Sequence, residues 1–225
     1  MDCVMSSQNA FIVDRILQAV RTSAMLIDTT NEVAFQLIAA DKTLILNLTL
    51  EKAFFTSLSL KNRLALIPRQ KFYIKKMKLL RITTNEYVMV FEYVFDKYVL
   101  RRRVFYNQSQ PFAIDFKIDL SGEINPNVLR LALKEIGEEI VTLRVAKDVG
   151  EIRGEETRMR FAVELHGEFS VDVIGGNLRS IFEVSDLFIR MGISYGSSNL
   201  SINFVFVGSG TKASFFVAIN RRANP

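Results

Sequence analysis

Histidine and cysteine are the scarcest reactive residues of this 225-residue chain, with one of each and no tryptophan. The single cysteine, Cys3, cannot form an internal disulfide, which is typical of a reducing compartment. The single histidine, His166, excludes sites that need two histidines, so zinc enzymes and histidine-dependent triads are disfavoured. No Gly-x-Ser-x-Gly motif or Walker loop occurs, and Gly175-Gly176 is interpreted as a bend. These absences favour a binding or structural protein over an enzyme, with no metal and no other cofactor.

Long apolar runs are also missing. The most apolar windows, such as Tyr87–Phe91, are soon broken by charge and fall short of the ~20 apolar residues that a membrane helix needs. The N-terminus lacks the basic stretch and apolar core of a signal peptide. Only 11 glycines and 4 prolines occur, which excludes collagen-like and low-complexity chains. With 49% hydrophobic and 24% charged residues, we expect a soluble intracellular protein of one large or two small domains.

Positive charge is concentrated in the first half of the chain. Residues 1–112 hold 16 Lys/Arg and 9 Asp/Glu, a net +7, whereas residues 113–225 hold 13 and 15, a net −2. Residues 61–78 contain seven basic residues and no acidic one. This stretch is either a polyanion-binding site or a solvated lysine-rich face. The acidic residues of positions 135–156 fall at a predicted helix end and in a polar loop, and we interpret them as solvated rather than as a metal site.

Alternation with a period of two predicts that most of the chain forms β-strands. Leu44–Leu50 is the clearest strand, because leucine occupies every second position. Gly208-Ser209-Gly210 predicts a hairpin turn between the last two strands. The predicted strands cover residues 33–37, 44–50, 79–84, 87–95, 98–106, 112–120, 140–146, 158–165, 169–174, 200–207 and 213–219.

Four short helices are predicted between these strands. Asn9–Arg21 carries apolar residues at helical spacing. Asn125–Ile136 has a capping asparagine, a proline in the first turn and a closing glycine after its last residue. A third helix begins at Ser185 and ends near Gly196, and a weaker fourth covers Gln70–Met77.

The two halves of the chain have similar lengths and a similar order of elements, although no residue-level repeat occurs. This order predicts an α+β fold of two similar domains, each with antiparallel sheets and two short helices on one face. Residues 107–111 are polar and contain Pro111, so they are the natural connector. The predicted domains are therefore residues 1–106 and residues 112–225.

Arg101-Arg102-Arg103 forms a second basic cluster, inside the predicted strand 98–106. Successive side chains alternate between the faces of a strand, so Arg101 and Arg103 share one face and Arg102 points to the other. Three consecutive arginines do not suit a strand buried on both sides, and they predict an edge strand. The charge there either protects the edge from indiscriminate pairing or marks a subunit contact, and the sequence favours neither.

Several stretches resemble the DNA sliding-clamp superfamily, which includes proliferating cell nuclear antigen, and within it the Rad Nine-type subunit of the nine-one-one checkpoint clamp. The likeness spans nearly the whole chain, and it rests on the order of the motifs more than on any single one. The motifs are Leu50–Phe55, which ends in paired phenylalanines, Val90–Tyr93 leading into Lys97–Arg102, Ser197–Phe204, and Ala213–Val217.

The resemblance implies a ring of three related subunits that encircles duplex DNA. In that family, helices line the channel and basic side chains meet phosphates without reading sequence. Two features depart from the family pattern. The second predicted helix is short, and these residues do not include the family's long tail, so tail-dependent signalling is not assigned to this chain. The expected DNA-binding residues are Arg15, Arg21, Lys71, Lys75, Lys76, Lys78, Arg130, Lys134 and Arg190.

The resemblance also implies that subunits join by pairing edge strands. The strand 98–106 of the first domain would meet a strand near 169–174 of the second. A basic strand prefers an acidic partner edge, which favours a mixed ring over a homotrimer. The expected interface residues are Tyr98, Arg101, Arg103, Phe105, Phe169, Val171 and Val173.

The function implied is that of a non-catalytic, nuclear clamp subunit in DNA-damage checkpoint signalling and repair. Its expected partners are double-stranded DNA, two related clamp subunits, a clamp loader, and repair or signalling proteins, and no membrane is involved. One alternative is another sliding clamp, such as a replication processivity homotrimer. A second alternative, of another class, is a β-rich ligand-binding protein or a cryptic hydrolase, which would show a deep apolar pocket with a convergent polar site.

Overall fold

The computed structural model describes residues 1–61, 63–114, 116–125, 128, 136–137, 140–165, 167–196 and 201–220. The chain divides into two compact units. Unit 1 comprises residues 1–40, 46–113 and 209–212, and unit 2 comprises residues 41–45, 114–208 and 213–225. The main division follows Ala113, and two short segments belong to the unit formed by the other half of the chain. A single cut in the sequence therefore does not describe the units.

Unit 1 consists of two antiparallel sheets and one α-helix among its described residues. The sheets have the strand orders β5-β1-β7-β8-β9 and β10-β6-β2-β3-β4. Its elements are β1 (Asp2–Ser6), α1 (Ser7–Gln18), β2 (Ala24–Asp28), β3 (Val33–Ile38), β4 (Leu44–Leu50), a 3-10 turn (Lys52–Phe54), β5 (Ser57–Ser59), β6 (Leu64–Pro68), β7 (Leu79–Thr84), β8 (Val88–Val94), β9 (Val99–Phe105) and β10 (Asn107–Gln108).

The core of unit 1 lies between α1 and the sheets. Helix α1 packs against β1 and β7. Strand residues alternate between buried and partly exposed, as in β4, where each leucine at an even position is buried. The Phe72 ring makes edge-to-face contacts with Phe35 and Phe91, at centroid distances of 5.3 and 5.8 Å. The loop that follows β6 therefore contributes a fully buried aromatic ring to the core.

Unit 2 is also built from antiparallel strands, in the order β18-β17-β16-β11-β14-β13-β12-β15. The side chain of Phe161 fills the space beside Gly150, where a β-carbon would lie 2.2 Å from the ring. Its elements are β11 (Leu120–Ile124), β12 (Ile140–Ala146), β13 (Val149–Arg153), β14 (Arg158–Leu165), β15 (Glu168–Ile174), α2 (Gly175–Phe182), a 3-10 turn (Ser185–Leu187), β16 (Arg190–Gly196), β17 (Ser201–Gly208) and β18 (Thr211–Ala218).

The α+β class with antiparallel sheets is confirmed, and most predicted strands lie within two residues of the observed bounds. The predicted strand 112–120 is wrong, because β11 begins only at Leu120. The turn after β17 is confirmed, and Gly210 supplies the positive φ of 71° that a hairpin of this kind needs.

The predicted helices agree less well. Helix α1 is confirmed and begins at Ser7. The predicted helix 70–77 is wrong, since these residues form an irregular loop with a turn at Lys75-Lys76 and a positive φ of 70° at Lys76. The helix predicted from Ser185 is a three-residue 3-10 turn, and β16 begins five residues later. The bend predicted at Gly175-Gly176 is the first turn of α2. The predicted helix 125–136 falls largely outside the described residues.

Candidate nucleic-acid interface

Helix α1 presents one polar face beside an apolar one. The hydroxyl of Ser6 accepts a hydrogen bond from the Asn9 N–H at 3.1 Å, which caps the helix and explains why it starts here. Ala10, Val13 and Ile16 are among the residues on its buried stripe. Because the buried stripe packs against the core, Arg15 lies on the partly exposed side of the helix.

Asp14 is the one acidic residue on the buried stripe, and it ties α1 to the loop that follows β6. Its carboxylate accepts a hydrogen bond from the backbone N–H of Phe72 at 2.8 Å and another from the Gln18 amide at 2.8 Å. A buried N–H would otherwise lack a partner, so this bond fixes the loop beside the helix.

Replacing Asp14 with alanine should lower the free energy of unfolding by about 1.5–3 kcal/mol, because two hydrogen bonds to a buried carboxylate are lost. Urea denaturation would measure the change. Replacing Asp96 with alanine is the control, since its ion pair with Lys78 is exposed and is worth about 1 kcal/mol or less. Equal effects of the two substitutions would contradict the anchoring role of Asp14.

Residues 69–78 form what we call the basic loop. Phe72 and Met77 are buried in the core, and the Tyr93 hydroxyl donates a hydrogen bond to the Lys71 carbonyl. These anchors hold the backbone and leave four lysine side chains exposed to solvent. The exposed lysines are Lys71, Lys75, Lys76 and Lys78.

An aromatic contact joins the basic loop to α1. Phe11 packs edge-to-face on Tyr73 with ring centroids 5.2 Å apart, and the Arg15 guanidinium lies 6.0 Å from the Phe11 ring. Phe11 is 42% exposed although it belongs to a helix. This pair was not predicted from the sequence, although an aromatic residue outside the apolar stripe of α1 was a signal for it.

The other predicted DNA-binding residues are distributed unevenly. Arg21 is exposed three residues beyond the end of α1. Lys78 pairs with Asp96 at 3.3 Å, which offsets its charge. Arg190 is exposed in unit 2, where it borders a cavity of about 630 Å³ together with Glu123, Asp148 and Glu164. Arg130 and Lys134 lie outside the described residues.

The seven basic residues of positions 61–78 do not form one patch. Strand β6 separates Lys61 and Arg63 from the basic loop, and a five-residue strand spans about 16 Å. At the far end of β6, the Thr29 hydroxyl donates a hydrogen bond to the Lys61 carbonyl, and the Thr29 N–H donates one to the Arg63 carbonyl. Arg69 is half-buried and donates a hydrogen bond to the Val20 carbonyl, and burial lowers the pKa of its guanidinium. The candidate phosphate contacts of unit 1 are therefore Arg15, Arg21 and the exposed lysines of the basic loop.

Strand β9 lies at the end of its sheet, and its side chains alternate as the sequence predicts. Arg101 lies opposite Glu92 on β8 and binds its carboxylate at 2.6 Å. Arg102 points to the other face, where its guanidinium lies 5.9 Å from the ring of the buried Tyr93. Among the described strands, none pairs with the outer edge of β9.

Large apolar side chains are exposed along the same edge. Val99, Leu100 and Phe105 are exposed, Phe105 to 77%, and Tyr98 stacks on Phe95 with centroids 4.4 Å apart. Protection from aggregation would call for charge without exposed apolar area, so this mixture favours a subunit contact.

The predicted second interface strand has a different environment. Phe169, Val171 and Val173 are buried, and β15 pairs with β12 along one edge. On its other edge, the Asp172 carbonyl accepts a hydrogen bond from the Asn220 N–H at 2.7 Å. The side chains predicted there as interface residues therefore belong to the interior of unit 2.

The connector borders a groove in unit 1. The Gln36 amide donates to the Phe112 carbonyl at 2.9 Å and accepts from the Phe112 N–H at 2.7 Å, which fastens the residue after the connector to β3. The groove has a volume of about 480 Å³, and half-exposed Leu66 lies in its wall beside Met25 and Pro111.

Reactive chemistry is sparse in the described residues. No group of three or more histidine, cysteine or carboxylate side chains with metal-binding geometry occurs in them. Burial raises the pKa of the Cys3 thiol to about 12. Neither described α-helix has the length and hydropathy needed to cross a membrane.

We expect Cys3 to resist thiol reagents in the folded protein. A pKa near 12 leaves roughly a thousandth of the thiolate that an ordinary cysteine carries at pH 8, and the thiolate is the reacting species. Reaction with a chromogenic disulfide should therefore be slow in buffer and fast in denaturant. Equal rates in both conditions would contradict the burial of β1.

The fold is that of a sliding clamp. No protein-family model and no curated protein matches the sequence. Among solved structures, the chain is similar to a chain of the PCNA2–PCNA3 complex of Sulfolobus tokodaii, with a TM-score of 0.79 and 12% identity, and the match covers 100% of this chain and 100% of that chain. It is also similar to proliferating cellular nuclear antigen from Entamoeba histolytica (TM-score 0.76, 11% identity, 98% of each chain) and to PCNA from Thermococcus kodakaraensis (TM-score 0.74, 11% identity, 97% and 99% covered).

Proposed function

We propose that this chain is a non-catalytic subunit of a ring-shaped clamp that encircles duplex DNA. The full-length likeness to solved sliding clamps carries this proposal. Lys71, Lys75 and Lys76 of the basic loop support it, because an anchored backbone holds them exposed on the surface of unit 1. Such side chains bind the phosphate backbone irrespective of sequence, which a sliding protein requires.

Within this class, we propose a Rad Nine-type subunit of a nuclear checkpoint clamp that works in DNA-damage signalling and repair. The motif order described above and the basic β9 edge support a mixed ring. One of the similar structures is itself a complex of two different clamp chains, PCNA2 and PCNA3. The main alternative is a replication homotrimer, and the mass of the isolated protein in solution separates the two, since only the homotrimer assembles alone.

The groove beside the connector is the proposed docking place for protein partners, such as a clamp loader or repair proteins. Its apolar wall and half-exposed leucine suit a short apolar segment. Replacing Leu66 with alanine should reduce recovery of the chain's protein partners about tenfold, as is common for a central apolar contact. Val207 has similar exposure in unit 2, and its replacement with alanine should change nothing. Equal recovery with both variants would contradict the docking role.

Retention on circular DNA tests the clamp function. The tagged chain, purified from the cells that produce it together with its associated subunits, is loaded onto nicked circular plasmid and passed through a sizing column in high salt. We expect the complex to stay with the circle and to dissociate after a single restriction cut, because only a topological link survives screening of phosphate contacts. Equal loss from circular and linear DNA would contradict the proposal.

A further inference from the structure

Several strands have an unpaired edge among the described residues, and two of these edges carry neighbouring arginines. The first is the outer edge of β9 in unit 1. The second is in unit 2, on β14. Its residues 158–162 pair with β13 on one side, and only residues 163–165 pair with β11 on the other. No described strand covers the side of residues 158–162 that faces away from β13, so β14 offers an open edge there.

The open edge of β14 is basic. Arg158 and Arg160 occupy alternate positions on its exposed face, with side chains 55% and 63% exposed. Both bind the carboxylate of Glu151, at 2.8 and 3.0 Å, and the two guanidinium groups lower the pKa of that carboxyl. Arg144 of β12 lies opposite Glu151 of β13, and Arg153 of β13 lies opposite Arg158 of β14. Glu151 therefore binds two of these arginines, and residues 158–162 themselves contain no acidic side chain, so the open edge is positively charged.

The open edge of β9 is basic as well. On its exposed face, Arg101 is paired with Glu92, whereas Arg103 lies opposite Val90, which offers no carboxylate. Charges of alternating sign cross this sheet from Arg81 on β7 to Glu92 on β8 and Arg101 on β9. The next strand in the series would place an acidic side chain beside Arg101.

We propose that the two open edges bind acidic edge strands of different partner subunits and reject a second copy of this chain. If one copy's β9 met another copy's β14 with their buried faces aligned, Arg101 and Arg103 would lie beside Arg158 and Arg160. Like charges on neighbouring strands destabilise a pair, whereas Asp or Glu at alternate positions would complement both edges. This inference rests on the proposed ring, and it names the partner chemistry at both open edges.

Reversing the charge of one edge tests the inference by a gain of self-association. The variants are Arg101→Glu/Arg103→Glu, Arg158→Glu/Arg160→Glu, and the combination of all four. Sedimentation velocity at about 50 mM salt, where screening is weak, measures association. We expect the wild type to be monomeric and each two-site variant to self-associate at least tenfold more tightly, because one acidic edge then meets one basic edge. The four-site variant should be monomeric again, since both edges are acidic.

The matched control is Lys75→Glu/Lys76→Glu, which makes the same change in net charge away from both edges and should remain monomeric. An Arg101→Gln/Arg103→Gln variant, which should associate more weakly than the glutamate variant, guards against loss of folding. Self-association of the wild type, or monomeric two-site variants with native circular dichroism, would overturn the inference. If the two-site variants assemble but fail to stay on circular DNA, the edge assignment stands and the clamp function fails.

Discussion

Replacing Lys71, Lys75 and Lys76 together with alanine should lower the salt dependence of DNA binding by about 3 units of slope, because each lost phosphate contact removes roughly one unit. The three side chains are exposed on a loop whose backbone is anchored by Phe72, so the change should remove charge without disturbing the fold. Fluorescence anisotropy with a short duplex, over a series of salt concentrations, measures the slope. Affinity should fall equally for duplexes of different sequence.

The matched control for this experiment is alanine at Lys52, Lys117 and Lys212, which are exposed on other segments of the chain. The control removes the same charge and should change the slope much less, because long-range attraction is screened over about 10 Å at 0.1 M salt. If both triple variants reduce the slope equally, the basic loop has no special role and DNA binding reflects net charge alone.

Replacing Phe72 with alanine should lower the free energy of unfolding by about 3–5 kcal/mol, the range for removal of a buried aromatic ring. Phe72 is fully buried between Phe35 and Phe91 and is the main apolar anchor of the basic loop. Urea denaturation followed by circular dichroism measures the change. Affinity for duplex DNA should also fall at temperatures well below unfolding, because the lysines lose their fixed backbone.

Two further substitutions separate anchoring from general loss of apolar surface. Phe72→Leu should cost much less than alanine because it leaves a smaller cavity. Phe11→Ala, at a partly exposed ring on α1, should change stability by about 1 kcal/mol or less, the scale of an exposed aromatic contact. A loss at Phe11 as large as that at Phe72 would contradict the described packing of the loop.

Strands were the part of this fold that the sequence could predict. The bounds of β4, β7 and β14 agree with the alternation of apolar residues, because burial on one face of a sheet is written directly into a period of two. The α+β fold class followed from the same pattern of alternation. The main division of the units follows Ala113, next to the connector expected at residues 107–111, whereas segments 41–45 and 209–212 join the opposite unit through contacts distant in sequence.

Helices were harder because tertiary contacts override local preference. Residues 70–77 carry apolar side chains at a spacing compatible with a helix, yet the Asp14 carboxylate and the Tyr93 hydroxyl bind their backbone groups and hold an irregular loop. Helix α2 begins with two glycines, which are poor helix formers, and its stability comes from the burial of Leu178 and Ile181.

The candidate interface was predictable only in part. The arginine run correctly predicted an edge position for β9, since charge on consecutive residues requires solvent on both faces. The split of the 61–78 stretch by β6 and the open edge of β14 depend on strand pairing, which composition does not encode. Glu151 shows the same limit, because its two arginine partners become visible only when β13 and β14 are aligned.

The most direct test of the account is site-specific crosslinking inside a complex loaded on circular DNA. A photoreactive amino acid replaces Lys75 in the basic loop or, as a control, Glu86 in the exposed turn between β7 and β8. We expect the probe at position 75 to crosslink to DNA on closed circles in high salt and to lose its crosslink after linearisation, while position 86 gives no crosslink. Crosslinking from position 86 alone, or equal crosslinking before and after linearisation, would contradict a clamp whose basic loop meets the encircled duplex.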